Sequence, residues 1–232
     1  GYFGSLFMGT IIIFFGSILK LTLLAIFFIL SSFLSKIIKK RYLKEKSLPP
    51  KRNIIQVFCN GGIALIICIY DYFITDYDYI YIYAASIATA MSDTWGTEFG
   101  KLSRSKPISI ITKKTINHGM SGGITLIGTI GSLLGSCLLG LIFWILYPNS
   151  EIMIFYVIVS GFSGAIFDSV LGDTIQAKYI NNHNEVTEIK SENSLLIKGY
   201  RSINNNTVNL MATTIGPIIM LIFIKLYTII SN

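Results

Sequence analysis

Four carboxylates lie in apolar stretches of the sequence, where ionised side chains are rare. Asp93 and Glu98 belong to SDTWGTEFG, and Asp168 and Asp173 belong to DSVLGD. An ionised Asp inside a bilayer costs about 2.5–3.5 kcal/mol even on the mildest insertion scale, so it must be paired or solvated. Acids brought together repel one another unless a cation neutralises them or they take up protons. The pattern favours a metal and phosphate site over its two alternatives, an ion or proton pathway and structural pairing with Lys or Arg.

The oxygen donors indicate which metal such a site would hold. Asp, Glu and Asn oxygens suit Mg²⁺ or Mn²⁺ better than zinc, and Mg²⁺ completes its shell with water and phosphate oxygens. We therefore expect four metal ligands: Asp93, Glu98, Asp168 and Asp173. Asn60, in QVFCNGG, lies at a similar depth of its own apolar run. Residues five positions apart on a helix point about 140° apart, so Asp93 and Glu98 share a site only if the helix loosens or the cleft is wide.

A basic, glycine-rich segment follows the first pair of acids. It is KLSRSKPISIITKKTINHGMSGG, which contains five Lys or Arg residues and ends in glycines. Glycines at a helix N-terminus offer backbone N–H groups and the positive end of the helix dipole to an anion. The spacing of a P-loop is absent. The segment predicts a phosphate-binding loop, with a flexible turn as the alternative, and its binding groups would be Lys101, Lys113, Lys114 and residues 119–123.

Other polar side chains carry weaker signals. His118 and His183 lack partners at ligand or triad spacing, and no G-x-S-x-G motif is present, so we expect neither histidine to be catalytic. Four asparagines begin the last apolar run, namely Asn204, Asn205, Asn206 and Asn209. They either cap that helix or supply amide ligands to a substrate.

The chain that must position these side chains has the composition of an integral membrane protein. Of its 232 residues, 52 % are hydrophobic and 13 % are charged, and the mean hydropathy is +0.63. A soluble domain carries about a quarter charged residues. The net charge of +7 comes mostly from short stretches between apolar runs, which is typical of cytoplasmic loops and not of nucleic-acid binding. We predict one all-α membrane domain, residues 1–232, in contact with the lipid bilayer.

Apolar runs predict a bundle of about seven transmembrane helices. The first run, residues 2–38, exceeds one span of roughly 20 residues and divides at Gly16 and Ser17. The other spans are residues 54–72, 79–100, 122–147, 152–178 and 208–230. Basic loops alternate with acidic or uncharged ones, so the positive-inside rule places three loops and the predicted site in the cytoplasm. Small residues at helical spacing, such as Gly161 and Gly164, predict close helix packing.

Three motifs resemble, in order and spacing, those of the DUF92 family of membrane proteins, which includes transmembrane protein 19 and the plastid phytyl-phosphate kinase. They are AASIATAMSDTWGTEFGKLS, KPISIIT followed by GMSGGITLIG, and GAIFDSVLGDTIQ. The resemblance covers nearly the whole chain. It implies an enzyme that transfers a phosphoryl group from a nucleoside triphosphate, CTP or ATP, to an isoprenyl monophosphate. The alternatives are a prenyl alcohol kinase, a cytidylyltransferase that forms a CDP-lipid, and an ion-coupled transporter.

The resemblance also implies roles for individual positions. Together with the residue patterns above, it predicts three catalytic residues, Asp93, Glu98 and Asp168. Nucleotide and phosphate binding would involve Thr94, Lys101, Thr112, Lys113, Lys114, Gly119, Ser121, Gly122 and Gly123. Binding of the lipid substrate would involve Asn60, Gln176, Asn205 and Asn209. Asp173 departs from the family pattern, in which a small residue is common at this position.

Overall fold

The protein is a bundle of seven helices with two small sheets between them, described here from a computed structural model that covers residues 2–41, 53–74, 78–148, 150–183 and 185–231. The helices are α1 (Tyr2–Phe15), α2 (Ile18–Arg41), α3 (Ile54–Ile74), α4 (Tyr79–Gly100), α5 (Leu126–Leu146), α6 (Glu151–Thr174) and α7 (Asn205–Ser231). The strands are β1 (Ile108–Ser109), β2 (Gly123–Ile124), β3 (Lys178–Ile180), β4 (Val186–Thr187) and β5 (Leu195–Lys198). The predicted all-α class is confirmed, since 71 % of the described residues are helical.

Five of the described helices, α2, α3, α5, α6 and α7, are long and apolar enough to cross a membrane. Helix α1 has 14 residues, which span about 21 Å and fall short of a hydrocarbon core about 30 Å thick. Helix α4 has 22 residues but ends in a polar segment. The predicted number of seven spans is therefore approximate. The predicted break at Gly16 and Ser17 is confirmed, because α1 ends and α2 begins on either side of it.

Helix α4 forms the centre of the bundle. It packs against α2, α3, α5, α6 and α7, and residues 80–92 are buried throughout. Glycines of the neighbouring helices lie against it. A Cβ on Gly161 would lie 2.5 Å from Cβ of Ala88, and one on Gly164 would lie 2.5 Å from Cγ2 of Thr89. These close approaches confirm the predicted packing by small residues.

The loops that were predicted to share one side of the membrane meet at one side of the bundle. Lys39 near the end of α2, Asn53 before α3, Lys101 after α4 and Glu188 after α6 all line one cavity there. Asn53 and Gln56 cap the start of α3 reciprocally, since each backbone N–H donates to the other's side-chain oxygen, over 3.1 and 2.8 Å. Most of the basic loop between α2 and α3, residues 42–52, lies outside the described residues.

The glycine cluster does not open a helix, contrary to the prediction. Gly123 lies in β2, which pairs antiparallel with β1. Helix α5 begins only at Leu126 and is capped by Thr125, whose side-chain oxygen accepts a hydrogen bond from the Gly128 N–H over 3.0 Å. An anion at this cluster would therefore meet the N–H groups of an irregular loop, and the dipole of α5 begins further along the chain.

Candidate functional site

A cavity of about 1320 Å³ opens where the loops meet. Side chains from α2 to α7 line it, together with the loop of residues 118–125. Many residues of the predicted site reach this cavity: Asn60, Asp93, Thr94, Glu98, Lys101, Gly119, Ser121, Gly122, Gly123, Asp168, Asn205 and Asn209. The volume exceeds the range of roughly 300–1,000 Å³ that is typical for one small ligand.

Two carboxylates from separate helices line this cavity. Asp93 belongs to α4 and Asp168 to α6, and the charges of Asp93 and of Glu188 both act on Asp168. The small residues described above explain this proximity. Gly164 lies one turn and Gly161 two turns before Asp168, and both let α6 approach α4 closely. The packing of the bundle therefore brings carboxyl groups from separate helices to one place.

Glu98 lies one turn beyond Asp93 and is buried. Its Oε1 accepts a hydrogen bond from Lys101 Nζ over 2.8 Å, whereas its Oε2 is buried and has no hydrogen-bond partner among the described atoms. A buried carboxylate oxygen of this kind carries a desolvation cost, which a cation would relieve. Lys101, which was predicted to bind phosphate, lines the cavity while it holds this acid.

The donor set fits Mg²⁺ only with help from substrate oxygens. Within the described part of the chain, no three His, Cys, Asp or Glu side chains converge as a ready-made metal site. Mg²⁺ typically uses one or two protein carboxylates and takes its other ligands from water and phosphate. Asp93 and Asp168, with the unpartnered oxygen of Glu98 nearby on α4, supply that number. Metal binding by these residues stays a prediction.

Amide side chains form a second group at the cavity wall. One amide atom of Asn209 lies 3.1 Å from Oδ2 of Asp168 and 2.9 Å from the carbonyl oxygen of Asn205. Both neighbours accept hydrogen bonds, so this atom is the amide nitrogen, and the amide oxygen then faces Asn60 over 3.2 Å. Asn204 caps α7, which was the alternative role predicted for these asparagines. Its Oδ1 accepts hydrogen bonds from the N–H groups of Asn206 and Thr207 over 2.9 and 3.1 Å.

The glycine loop is held from behind by the start of the second sheet. Gly119 and Gly122 adopt positive φ angles of 82° and 80°, which glycine tolerates without strain. Between them, the carbonyl oxygen of Ser121 accepts a hydrogen bond from Lys178 Nζ over 2.9 Å. Burial lowers the pKa of the Lys178 ammonium group from its usual value, and the charge of Asp173 opposes this shift. The amine of Lys178 thus lies directly behind the loop.

Asp173 is not a ligand in this cavity, which corrects its place among the predicted metal ligands. Its Oδ2 accepts from the Ser109 hydroxyl and from the Ile111 N–H, the latter over 3.1 Å. Its Oδ1 accepts from Lys198 Nζ over 2.9 Å and lies 3.7 Å from Lys178 Nζ. Both oxygens are therefore engaged in a buried ion-pair cluster, and the side chain anchors the loops against α6.

Thr112, Lys113 and Lys114 are not among the residues that line the cavity, contrary to the prediction. All three are exposed. The Thr112 hydroxyl and N–H both donate to Oγ of Ser109, over 2.8 and 2.9 Å. Because Ser109 is itself bonded to Asp173, the turn that holds Thr112 is tied to the end of α6.

Gln176 lies one step behind the cavity. Its side chain is buried, and its Nε2 donates to Ser121 Oγ over 2.9 Å and to Glu188 Oε2 over 2.7 Å. Gln176 therefore contacts the cavity only through these two side chains. The geometry does not favour the predicted direct contact between Gln176 and the lipid substrate.

Glu188 is the residue of this site that the sequence patterns missed. It follows β4 in a polar segment of mixed charge, where no hydrophobic periodicity indicates which side chains point inward. His118 also lines the cavity, although its spacing in the sequence gave no sign of a role.

Comparison with known proteins gives the chain relatives but no solved structure. The sequence model described as integral membrane protein DUF92 matches residues 1–217. An uncharacterized membrane protein of Methanocaldococcus jannaschii, MJ0933, is 32 % identical over 219 residues, which cover 94 % of this chain and 82 % of that protein. Protein PGR of Arabidopsis thaliana is 30 % identical over 219 residues, with 82 % of this chain and 76 % of that protein covered. No solved structure matches the chain.

Proposed function

Since the chain belongs to the DUF92 family of integral membrane proteins, we propose that it is an isoprenyl-phosphate kinase. It would transfer the terminal phosphoryl group of a nucleoside triphosphate, CTP or ATP, to a prenyl monophosphate such as phytyl phosphate, and release the prenyl diphosphate. One observation carries the proposal. Asp93 and Asp168, from separate helices, line the same cavity as Lys101 and the loop around Ser121. Acids beside cationic and N–H donors suit a metal-bound polyphosphate.

The reaction needs no nucleophile from the protein. An oxygen of the prenyl phosphate attacks the terminal phosphorus of the triphosphate, the bond to the bridging oxygen breaks, and the nucleoside diphosphate leaves with that oxygen. The acceptor oxygen is already anionic, so no strong base is required either. Catalysis of this type consists mainly of positioning the two phosphates and offsetting their charge.

The residues divide these tasks by their place in the cavity. Mg²⁺, when held by Asp168 with Asp93 or Glu98, would supply positive charge to the phosphate oxygens. Lys101 and the loop of residues 119–123 would bind the triphosphate, and Thr94 lies on the same wall. Asn60 and Asn209 would orient Asp168 or the acceptor phosphate from the opposite wall. The prenyl tail would extend between the helices into the bilayer.

The positive-inside rule supports a cytoplasmic orientation of this cavity. Lys39 and Lys101 line it, and in the sequence Lys39 belongs to the basic stretch that continues toward α3. Such basic loops remain on the cytoplasmic side of multi-pass proteins, which is also where soluble nucleotides are available.

Product analysis tests the proposal. Protein purified in detergent is incubated with Mg²⁺, a panel of prenyl alcohols and monophosphates, and CTP or ATP labelled in the terminal phosphate or, in parallel, in the α-phosphate. We expect label in a prenyl diphosphate. Label in a monophosphate would indicate an alcohol kinase. Incorporation of the nucleotide's α-phosphate with release of pyrophosphate would indicate a cytidylyltransferase. Absence of labelled lipid from every acceptor, with folded protein, would overturn the kinase assignment and favour a transporter.

A further inference from the structure

The carboxylate of Glu188 accepts three hydrogen bonds, two from Ser121 in the cavity wall and one from Gln176 behind it. Its Oε1 accepts from the Ser121 N–H over 2.6 Å. Its Oε2 accepts from the Ser121 hydroxyl over 2.9 Å and from Gln176 Nε2 over 2.7 Å. We propose that these donors form a binding site for one phosphoryl group, and that Glu188 competes with that group for them. The inference rests on the proposed function, which supplies the polyphosphate.

Neighbouring hydrogen bonds orient the Ser121 and Gln176 donors toward an anion. Gln176 Nε2 also donates to Ser121 Oγ over 2.9 Å, so the serine oxygen is used as an acceptor and its proton is directed to the carboxylate. Gln176 Oε1 is buried without a hydrogen-bond partner among the described atoms, which costs free energy. An amide held in this way is explained if its role is to direct its nitrogen toward an anion. Lys178 adds positive charge behind Ser121. Hydrogen bonds to a charged oxygen are about twice as strong as neutral ones.

A phosphoryl group offers these donors the same kind of acceptor. Its oxygens are anionic, as those of the carboxylate are, and backbone N–H groups in glycine-rich loops are well suited to bind it. Ser121 lies between Gly119 and Gly122, both at positive φ, and lines the cavity beside Asp168. Glu188 and a phosphoryl group therefore cannot both use the donors.

The two sides of this contact differ in how firmly they are anchored. Ser121 is fixed through Lys178, and Gln176 is buried at the end of α6, where its N–H donates to the Leu171 carbonyl over 3.3 Å. Glu188 follows a strand of only two residues, and the next side chain, Ile189, is 78 % exposed. The carboxylate of Glu188 is thus the less firmly anchored partner of this contact.

Titration of the purified full chain with inorganic pyrophosphate tests the competition. Calorimetry with and without Mg²⁺ compares wild type with Glu188→Ala and with Glu188→Gln, which keeps the side-chain size. We expect both variants to bind pyrophosphate more tightly, Glu188→Ala by about five- to tenfold, because a competing set of hydrogen bonds is removed. Ser121→Ala added to Glu188→Ala should lose most of that gain.

Glu192→Ala is the matched control, since it removes the same charge from an exposed position four residues further along the same loop. It should change the affinity by less than about twofold, because exposed charges are screened. Unchanged or weaker binding in both Glu188 variants, an equal gain in Glu192→Ala, or no pyrophosphate binding in any variant would overturn the inference. Kinase turnover is a separate measurement, so tighter binding without lipid phosphorylation would reject the proposed function and leave this site standing.

Discussion

Gly122 packs directly against Asp173 on α6. A Cβ on Gly122 would lie 2.3 Å from Cβ of Asp173, 2.5 Å from its Cα and 2.5 Å from its backbone nitrogen. These atoms belong to a helix that cannot shift without disturbing the ion pairs of the buried Asp173 with Lys178 and Lys198. The glycine loop therefore packs directly on α6 because Gly122 has no side chain.

Gly122→Ala should displace this loop from α6. Overlap with backbone atoms adds to the strain of a φ of 80°, and overpacking of this kind costs about 1–3 kcal/mol. We expect a lower thermal unfolding temperature in detergent and loss of kinase turnover. Gly119→Ala is the control, because its φ is 82° but no atom lies within 4 Å of the added Cβ. Equal effects of the two substitutions would contradict a role of the Gly122 contact beyond backbone strain.

Asp168→Asn should abolish turnover and leave the fold intact. The substitution keeps the size of the side chain and an oxygen for Asn209, and it removes a charge that lies close to Asp93. Loss of a group that stabilises the transition state typically lowers kcat about 10²- to 10³-fold. Diphosphate formation and thermal unfolding are measured in parallel. Glu151→Gln makes the same charge change at the exposed start of α6, and activity in both variants at the wild-type level would remove Asp168 from the mechanism.

The sequence predicts the helices well because their apolar runs are long, and it predicts the central pair of acids because Asp93 and Asp168 stand out inside such runs. It is less informative about which neighbours join them. Glu98 follows Asp93 by five positions, and Asp173 follows Asp168 by five, so each points about 140° away from that neighbouring acid. Glu98 still reaches the cavity, which extends along the end of α4, whereas Asp173 meets Gly122 and the lysines of the second sheet.

The contacts between loops lie beyond this kind of prediction. Glu188 and Ser121 are separated by 67 residues and meet through short strands without a regular hydrophobic pattern. Likewise, the β1–β2 pair moves the start of α5 to Leu126 and turns Lys113 and Lys114 outward. Two-residue strands leave no periodicity in a sequence, so only the folded chain reveals which polar side chains they bring together.

Close helix packing predicts opposite effects of alanine at two glycines. Gly161→Ala would place a Cβ 2.5 Å from Cβ of Ala88 and 2.6 Å from Oγ of Ser136, so α6 must move away from α4, and the unfolding temperature should fall. Gly62→Ala on α3 meets no atom within 4 Å and should stabilise the helix by up to about 1 kcal/mol, since alanine is the better helix former. Unfolding curves of both variants in one detergent provide the comparison. Destabilisation by Gly62→Ala, or none by Gly161→Ala, would contradict this account.

A buried ion pair on the other side of the bundle should stabilise the fold without serving the cavity. Lys20 near the start of α2 pairs with Asp71 near the end of α3, and Lys20 is 5 % exposed. Asp71 lies 11 residues beyond the cavity residue Asn60, or about 16 Å along the helix. Lys20→Met or Asp71→Leu alone leaves the other charge without its partner, which typically lowers the free energy of unfolding by about 3–5 kcal/mol.

The double variant Lys20→Met with Asp71→Leu should recover most of that loss, because apolar side chains replace both charges and neither is left unpaired. A double-mutant cycle of unfolding free energies in detergent measures this coupling. Kinase turnover of the double variant should remain near wild type, because the pair does not line the cavity. Additive losses in the cycle would show that the two residues act independently. A loss of turnover at wild-type stability would instead connect this pair to the chemistry, and would favour an ion pathway through the bundle over a phosphate site confined to one side.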